Sequence, residues 1–204
     1  VKGYAEQKVL ADQGSLTVRI SEQRPENAEA YKAAEESVQV VKGFLAEALG
    51  EEAEVLDLST SISETKKLNE KGNRTNEIEY YVVSRSLRIN TAKVLALAEL
   101  SRKLYDLNAK GIRLTLDGPD FFVSGLEEVK IDLMQRATGN GRERAEIMAK
   151  SSGEKLGSLV SARQGVIQIT KPNSTRTSSY GIYDTETIEK VVKLVVTLEF
   201  KIGK

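Results

Sequence analysis

The sequence predicts an α+β fold: a mainly antiparallel sheet that starts β-α-β-β-α-β, continues α-β-β, and carries its helices packed on one face. Three observations support this. Runs of two-residue apolar period, such as Leu16, Val18, Ile20, are interleaved with runs of helical period, such as Tyr31, Ala34, Val38, Val41, Leu45 and Leu49. The alternation is too irregular for a doubly wound parallel sheet, and two expected hairpins require antiparallel pairing. No composition shift or Pro-rich linker divides the 204 residues. One domain spanning residues 1–204 is therefore expected, with protruding loops at 64–77 and 171–187.

In chain order, Gly3 to Val9 and Ser15 to Ser21 are short β-prone runs punctuated by Asp12-Gln13-Gly14. Pro25 and Asn27 open a long amphipathic helix, and Gly50 stops it. Glu54 to Ile62 returns to a strand pattern, Glu64 to Glu77 reads as a charged hairpin loop, and Ile78 to Ile89 resumes as strand. Asn90 is expected to cap a second helix whose stripe, Val94, Leu97, Leu100, Leu104 and Leu107, ends at Lys110-Gly111. Ile112, Leu114 and Leu116 alternate as a strand, and Asp117-Gly118-Pro119-Asp120 has turn chemistry. A third helix starts near Glu127. After it come a strand at Val166 to Ile169, a Ser, Thr and Tyr-rich loop at 171–187, and a closing strand in which Val192, Leu194, Val196, Leu198, Phe200 and Ile202 alternate with mostly polar residues.

The third helix carries the most unusual pattern. Ala137, Gly141, Ala145, Ala149, Gly153 and Gly157 place a small residue at every fourth position, an i, i+4 ridge stripped of side chains that lets a helix approach its neighbour closely. Each step of four advances the row by about 40°, so it spirals and cannot all face one partner. Ala137 to Ala149 are expected to face the sheet or a neighbouring helix, Gly153 to loosen the last turn, and Gly157 to be the left-handed C-terminal stop. Leucine at Ala145 or Ala149 is expected to overpack that face by about 1 to 3 kcal/mol.

Composition excludes several chemistries. The chain has no His and no Cys, so no imidazole or thiolate zinc site and no Ser-His-Asp or Cys-His mechanism is available. Thirty basic and thirty acidic residues give zero formal charge, which removes the electrostatic argument for nucleic acid or an anionic membrane surface. No run approaches the roughly eighteen apolar residues of a bilayer crossing. The sequence begins at Val1 without Met, and an export signal or anchor is expected upstream of it.

With Gly3-x-Ala5 followed by Val9 and Asp12, an Ala-rich first helix, a strand Ile78 to Ile89 leading into a helix that ends at Gly111, and Ala137-x7-Ala145-x3-Ala149-x3-Gly153-x2-Leu156-Gly157, the chain resembles the SIMPL-domain family. This is the bacterial periplasmic and envelope group once labelled a domain of unknown function. Each motif alone is weak, being built of Ala, Gly and Leu; order and spacing from Val1 to about Gly203 make the resemblance. It implies an exported α+β envelope protein, a homo-oligomer in some members, linked to tolerance of oxidative and envelope stress. It implies no catalytic residues and no cofactor. The chain departs from the family at Gly139-Asn140-Gly141, where many members carry an Ala-Asp-Ala type turn, and in the 171–187 loop. Two interior helix glycines cost roughly 1 kcal/mol each relative to Ala, so a kink is expected there.

Other patterns have bland readings. Gly139, Gly141, Arg142 and Arg144 look like a phosphate loop, but such a loop follows a strand and opens a helix, whereas these residues sit inside a helical pattern. Glu51, Glu52, Glu54, Glu127, Glu128 and Asp132 could pair as carboxylates for acid-base chemistry or calcium, yet their spacing fits solvated helix ends. Tyr180 and Tyr183 are candidate contact residues, because amphipathic tyrosines on a long loop make effective contacts. The leading expectation is a non-enzymatic envelope protein acting through self-assembly. The alternatives are a small-ligand binder or enzyme using carboxylate, Lys or Tyr chemistry in a sheet-helix pocket, and a signalling adaptor, since a mammalian branch shares the family name.

Overall fold

The computed structural model describes residues 1–50 and 52–203. In chain order its elements are β1 (Lys2–Leu10), β2 (Gln13–Arg24), α1 (Asn27–Leu49), β3 (Glu54–Leu68), β4 (Arg74–Thr91), α2 (Val94–Lys103), α3 (Asp106–Ala109), β5 (Leu114–Phe122), α4 (Leu126–Ser151), β6 (Lys155–Gln164), β7 (Gln168–Thr170), β8 (Ile182–Tyr183) and β9 (Glu189–Gly203). The α+β class, the antiparallel character and the element order follow the expectation. The strands do not join one sheet, however. The chain divides into two compact units, Asp12–Phe121 and Val1–Ala11 with Phe122–Lys204.

The unit Asp12–Phe121 is the split βαβ arrangement itself, β2-α1-β3-β4-α2-β5, with sheet order β3-β4-β2-β5. The alternating run in β2 buries Leu16, Val18 and Ile20 on one face, where α1 contributes Ala30, Ala34, Val38, Val41 and Leu45. Glu22 continues that inward row and is buried, held by the Ser37 hydroxyl at 2.8 Å and Arg24 at 3.1 Å. Arg85 of β4 donates to Glu35 of α1 at 2.5 and 2.9 Å and to Asp57 of β3 at 3.2 Å, tying helix, centre and edge of the sheet together.

Three local expectations change here. The hairpin expected at 64–77 is there, but its loop is shorter: β3 and β4 pair out to Leu68↔Arg74, with Asn69 closing the turn by accepting N–H groups of Lys71 and Asn73. Its charges hid the alternation, because both faces of the tip are solvated and there is no apolar side to mark the period. Asn90 lies within β4, which runs to Thr91, and does not cap α2; its side chain bridges Ser15 at 3.0 Å and Glu54 at 2.9 Å, and the helix starts after Lys93. Asp117-Gly118-Pro119-Asp120 lies inside β5, where Gly118 at φ 101° supplies the irregular backbone and the edge position tolerates a proline without N–H.

The other unit pairs β1 with β9 from Lys2↔Thr197 to Leu10↔Glu189, while β6 and then β7 follow the opposite edge of β9. The first β-prone run therefore does not belong with the second. The alternating β9 buries Val192, Leu194, Val196 and Leu198 against Ala5, Leu133 and Ala137. Helix α4 runs unbroken from Leu126 to Ser151, through both Gly139 and Gly141. Gly157 is not its stop. The helix ends in a Schellman arrangement: Gly153 takes the left-handed position at φ 79°, its N–H reaches Lys150 O at 3.2 Å, and Glu154 N–H reaches Ala149 O at 2.9 Å. Gly157 lies in β6 against the backbone of Lys201. That strand left little trace in the sequence because most of its residues are exposed and two register shifts break its alternation.

Gly141 faces β1 at Gly3, and the two backbones touch. A Cβ on Gly3 would collide with the Ala137 carbonyl oxygen and lie 2.7 Å from Gly141 N; one on Gly141 would lie 2.6 Å from Leu198 Cδ1 and 3.2 Å from Gly3 Cα. Gly139, two residues away, points into open space. The same substitution at the two glycines should therefore have opposite signs in chemical denaturation. Gly139→Ala is expected to stabilise by about 1 kcal/mol, and Gly141→Ala to destabilise by about 1 to 3 kcal/mol.

Candidate functional site

Long edge strands and well-held loops are the features that a chain without His or Cys can use for contact, and each unit has one. In the unit Asp12–Phe121, β3 is the end strand of its sheet, with β4 as its neighbour. Its 15 residues leave the backbone groups of the outer edge without a strand partner among the described residues, and Leu56, Leu58, Ile62 and Leu68 are exposed. A register shift between Asp57 and Ser59 makes Leu58 the extra residue of a bulge. The strand is acidic at its start, with Glu54 and Asp57, and basic at its very end, with Lys66 and Lys67 after Glu64. Near the tip Lys67 pairs with Glu77 at 3.1 Å and Thr75 donates to the Lys67 carbonyl at 3.0 Å, so the projecting hairpin is cross-tied. Sequence reading missed this edge because it took 64–77 for a loop; the signal that marks it is Lys67 facing Glu77 across a five-residue turn sequence, Asn69 to Asn73.

In the other unit, the 171–187 loop is strapped to the sheet. Lys193 donates to the Ser174 carbonyl at 2.6 Å, and Gln168 exchanges hydrogen bonds with the backbone of Ser178 at 2.7 and 3.2 Å. The short β8 inside the loop pairs parallel to β7. Lys190 is 0% exposed and its ammonium donates to the carbonyls of Asp184 and Thr187 at 2.6 and 2.5 Å and to the Asp184 carboxylate at 3.2 Å. Burial pushes the Asp184 carboxyl up, but hydrogen bonds from Thr187 and Lys190 outweigh it and hold the group below its ordinary value. No sequence pattern separates Lys190 from the solvated lysines around it.

The structure places the two tyrosines differently. Tyr180 is 96% exposed, while Tyr183 is 43% exposed, accepts the Val123 N–H at 3.4 Å and sits 6.3 Å from the Phe122 ring. Only Tyr180 presents a free ring; Tyr183 anchors the loop. Two pockets flank this segment, one of about 480 Å³ lined by Leu126, Lys130, Val166, Tyr180 and Tyr183, and one of about 220 Å³ lined by Thr170, Lys171, Ser174, Arg176, Asp184 and Glu186.

Of the small-residue ridge, Ala137, Gly141, Ala145 and Ala149 are buried in α4, whereas Gly153 and Gly157 follow the helix. Ala145 and Ala149 border an apolar hollow of about 310 Å³ with Met148, Leu156, Phe200 and Ile202. Gly141 is a tight position of the row, a Cβ there falling 2.6 Å from Leu198 Cδ1 and 3.2 Å from Gly3 Cα, and Ala145 and Ala149 have this hollow beside them. The acidic candidates have separate partners: Glu52 with Lys93 at 3.0 Å, Asp132 with Arg136 at 3.0 Å, and Glu127 with Lys130. Glu51 lies outside the described residues. Among the described residues no group of three or more acidic side chains is gathered as a metal site would be, and no helix is long and apolar enough to cross a membrane.

Two tests follow from the Lys190 clasp. Lys190→Met leaves the Asp184 carboxylate without its buried cation and should destabilise by about 3 to 5 kcal/mol in denaturant titrations at pH 7. A carboxyl with a depressed folded-state pKa contributes stability that is present above its unfolded value and lost as pH falls through the folded value. The stability difference between the natural protein and Asp184→Asn should accordingly shrink as pH falls below about 4.

Compared with known proteins, the chain matches the family model described as "SIMPL: Protein of unknown function (DUF541)" over residues 1–199. No curated protein matches it. The family match runs through β1, both sheets, the α4 ridge and β9 as far as Glu199, the same elements that carried the resemblance in the sequence. This protein belongs to the SIMPL family.

Proposed function

We propose that the protein works without catalysis, as an exported envelope protein that assembles with copies of itself through the open edge of β3. The observation that carries this reading is the edge itself: 15 residues, no covering element paired to it among the described residues, and exposed Leu56, Leu58, Ile62 and Leu68 along it. Soluble proteins normally blunt such an edge by shortening or covering it, because it is a template for another strand. The charges at its ends suit a second copy. When two β3 strands lie antiparallel across a twofold axis in the register that sets Glu54 of each opposite Lys67 of the other, the strand ends are complementary, with Asp57 opposite Glu64 between them, whereas an in-register parallel pairing sets like charges together at every charged position. Family membership supports an extracellular or periplasmic setting, and a role in tolerance of envelope stress is the biological function that fits such a scaffold.

Sedimentation velocity over a hundredfold range of concentration tests the assembly. The protein is expected to populate species larger than a monomer, and Ile62→Lys or Leu58→Lys to raise the dissociation constant at least about tenfold, equivalent to about 1.4 kcal/mol, with circular dichroism unchanged. A monomer at every concentration, or an oligomer indifferent to both substitutions, overturns the role of this edge.

A further inference from the structure

The open face of the sheet in the unit Asp12–Phe121 carries charge that the assembly reading leaves unused. Val18, Ile20, Leu87 and Ile89 are buried on the face that α1 and α2 cover. By strand alternation Arg19 and Arg88 project from the other face, and both are exposed. Arg19 lies opposite Ser86 and Arg88 opposite Thr17, so the two arginines are diagonal neighbours on adjacent strands, about 7 to 8 Å apart. Arg113, just before β5, continues the diagonal on the far side of β2. Its carbonyl accepts the Ser21 N–H at 2.9 Å, and its exposed guanidinium donates to the outward Gln23 at 2.9 Å. Among the described residues the ion-paired arginines are Arg24, Arg85, Arg136 and Arg142, and none of this row is one of them.

Like charges on neighbouring strands cost stability unless something neutralises them. The zero net charge of the chain therefore conceals a local cationic stripe, and local distribution is what an anionic partner meets. Hydroxyls fill the face around the stripe: Ser21 and Ser84 share a hydrogen bond at 2.8 Å, and Ser59 and Ser61 of β3 stand opposite Ser86 and Ser84. The arginine fork takes a carboxylate bidentately, and a hydroxyl can both donate and accept. Repeated carboxylates among hydroxyls are the chemistry of an acidic polysaccharide. Nucleic acid on a sheet face needs aromatic rings for its bases to stack on. The one aromatic among the outward residues of β2, β3 and β4 is Tyr80, eight residues along β4 from Arg88 and so about 27 Å away at about 3.4 Å per residue. A membrane surface calls for apolar side chains to insert beside the cations, whereas here hydroxyls flank them. We propose that this face binds an acidic polysaccharide, with uronate carboxylates on Arg88, Arg19 and Arg113 and sugar hydroxyls on the serines beside them.

Calorimetric titration with a hexamer of mannuronic acid tests the proposal, set against a neutral mannose hexamer, single-stranded oligo-dT and phosphatidylglycerol vesicles. The acidic hexamer is expected to bind about tenfold or more tighter than the neutral one, with an affinity that falls as salt is raised. Arg19→Ala and Arg88→Ala should each weaken it about fivefold or more with the melting temperature unchanged, and Arg19→Lys should fall between Arg19→Ala and the natural protein. Arg102→Ala, which removes an exposed cation of α2, should leave it unaltered. The arginines lie on different strands, so a variant that fails to fold leaves the other to decide. No binding of the acidic hexamer, equal binding of the neutral one, or an equal loss in Arg102→Ala overturns the site. Tighter binding of oligo-dT or of the vesicles, lost in Arg19→Ala, overturns the polysaccharide as its occupant. The face and the outer edge of β3 are separate surfaces, so this result and the assembly result can fail independently.

Discussion

Everything in the unit that contains α4 depends on how near the helix can come to β1. The contact is made between main chains, Gly141 on Gly3: a Cβ on Gly3 has no room, and one on Gly141 would lie 3.2 Å from Gly3 Cα and 2.6 Å from Leu198 Cδ1. Ridge-into-groove packing sets interaxial distance by side-chain size, and glycine on both surfaces is the limiting case. The approach has two consequences. It lowers the helix onto Leu198 and the other inward residues of β9, so that a strand of strong alternation finds its cover in a helix of low hydrophobicity. It also brings polar side chains of α4 to the outer edge of β1. Asn140 accepts the Tyr4 N–H at 3.1 Å, and Arg136, held by Asp132, donates to the Glu6 carbonyl at 2.8 Å.

Those hydrogen bonds explain why one edge strand is closed and another open. The Tyr4 N–H and Glu6 carbonyl of β1 are engaged by helix side chains that take the place of a neighbouring strand, a form of edge protection that needs no proline or inward charge. The outer edge of β3 has no comparable cover from a described element, and its exposed leucines and isoleucine lie beside it. A chain that carries one edge closed by a costly glycine contact and leaves the other exposed over 15 residues has the second available for a partner.

Much of this was legible in the sequence, and the failures have physical causes. The period of β2, α1, α2 and β9 could be read because each buries one face and solvates the other. The small-residue row was legible as a close-packing surface, and the burial of Ala137, Gly141, Ala145 and Ala149 lies on it. The partner of that row was not, because Gly3 is a single residue whose role depends on a contact 138 positions away. Strand β6 and the hairpin tip escaped because strands solvated on both faces carry no alternation. The division into two sheets was hidden by a two-residue link, Ala11-Asp12, between strands that read as consecutive partners. Lys190 was invisible for a different reason: whether a polar residue is clasped is decided by neighbours distant in the chain or by loop geometry, and composition does not record it.

The central claim, that α4 and β1 meet through the paired backbones of Gly3 and Gly141, is tested most directly by a double-mutant cycle with Gly3→Ala and Gly141→Ala followed by urea denaturation. A Cβ on Gly3 runs into the α4 backbone, and one on Gly141 presses on Leu198 Cδ1 and lies 3.2 Å from Gly3, so the two strain one shared contact and the second should add less once the first is present. The account predicts a double mutant less destabilised than the sum of the singles, with a coupling energy of about 0.5 to 3 kcal/mol. Additivity within about 0.3 to 0.5 kcal/mol would mean that the two glycines do not share a contact, and would contradict the account.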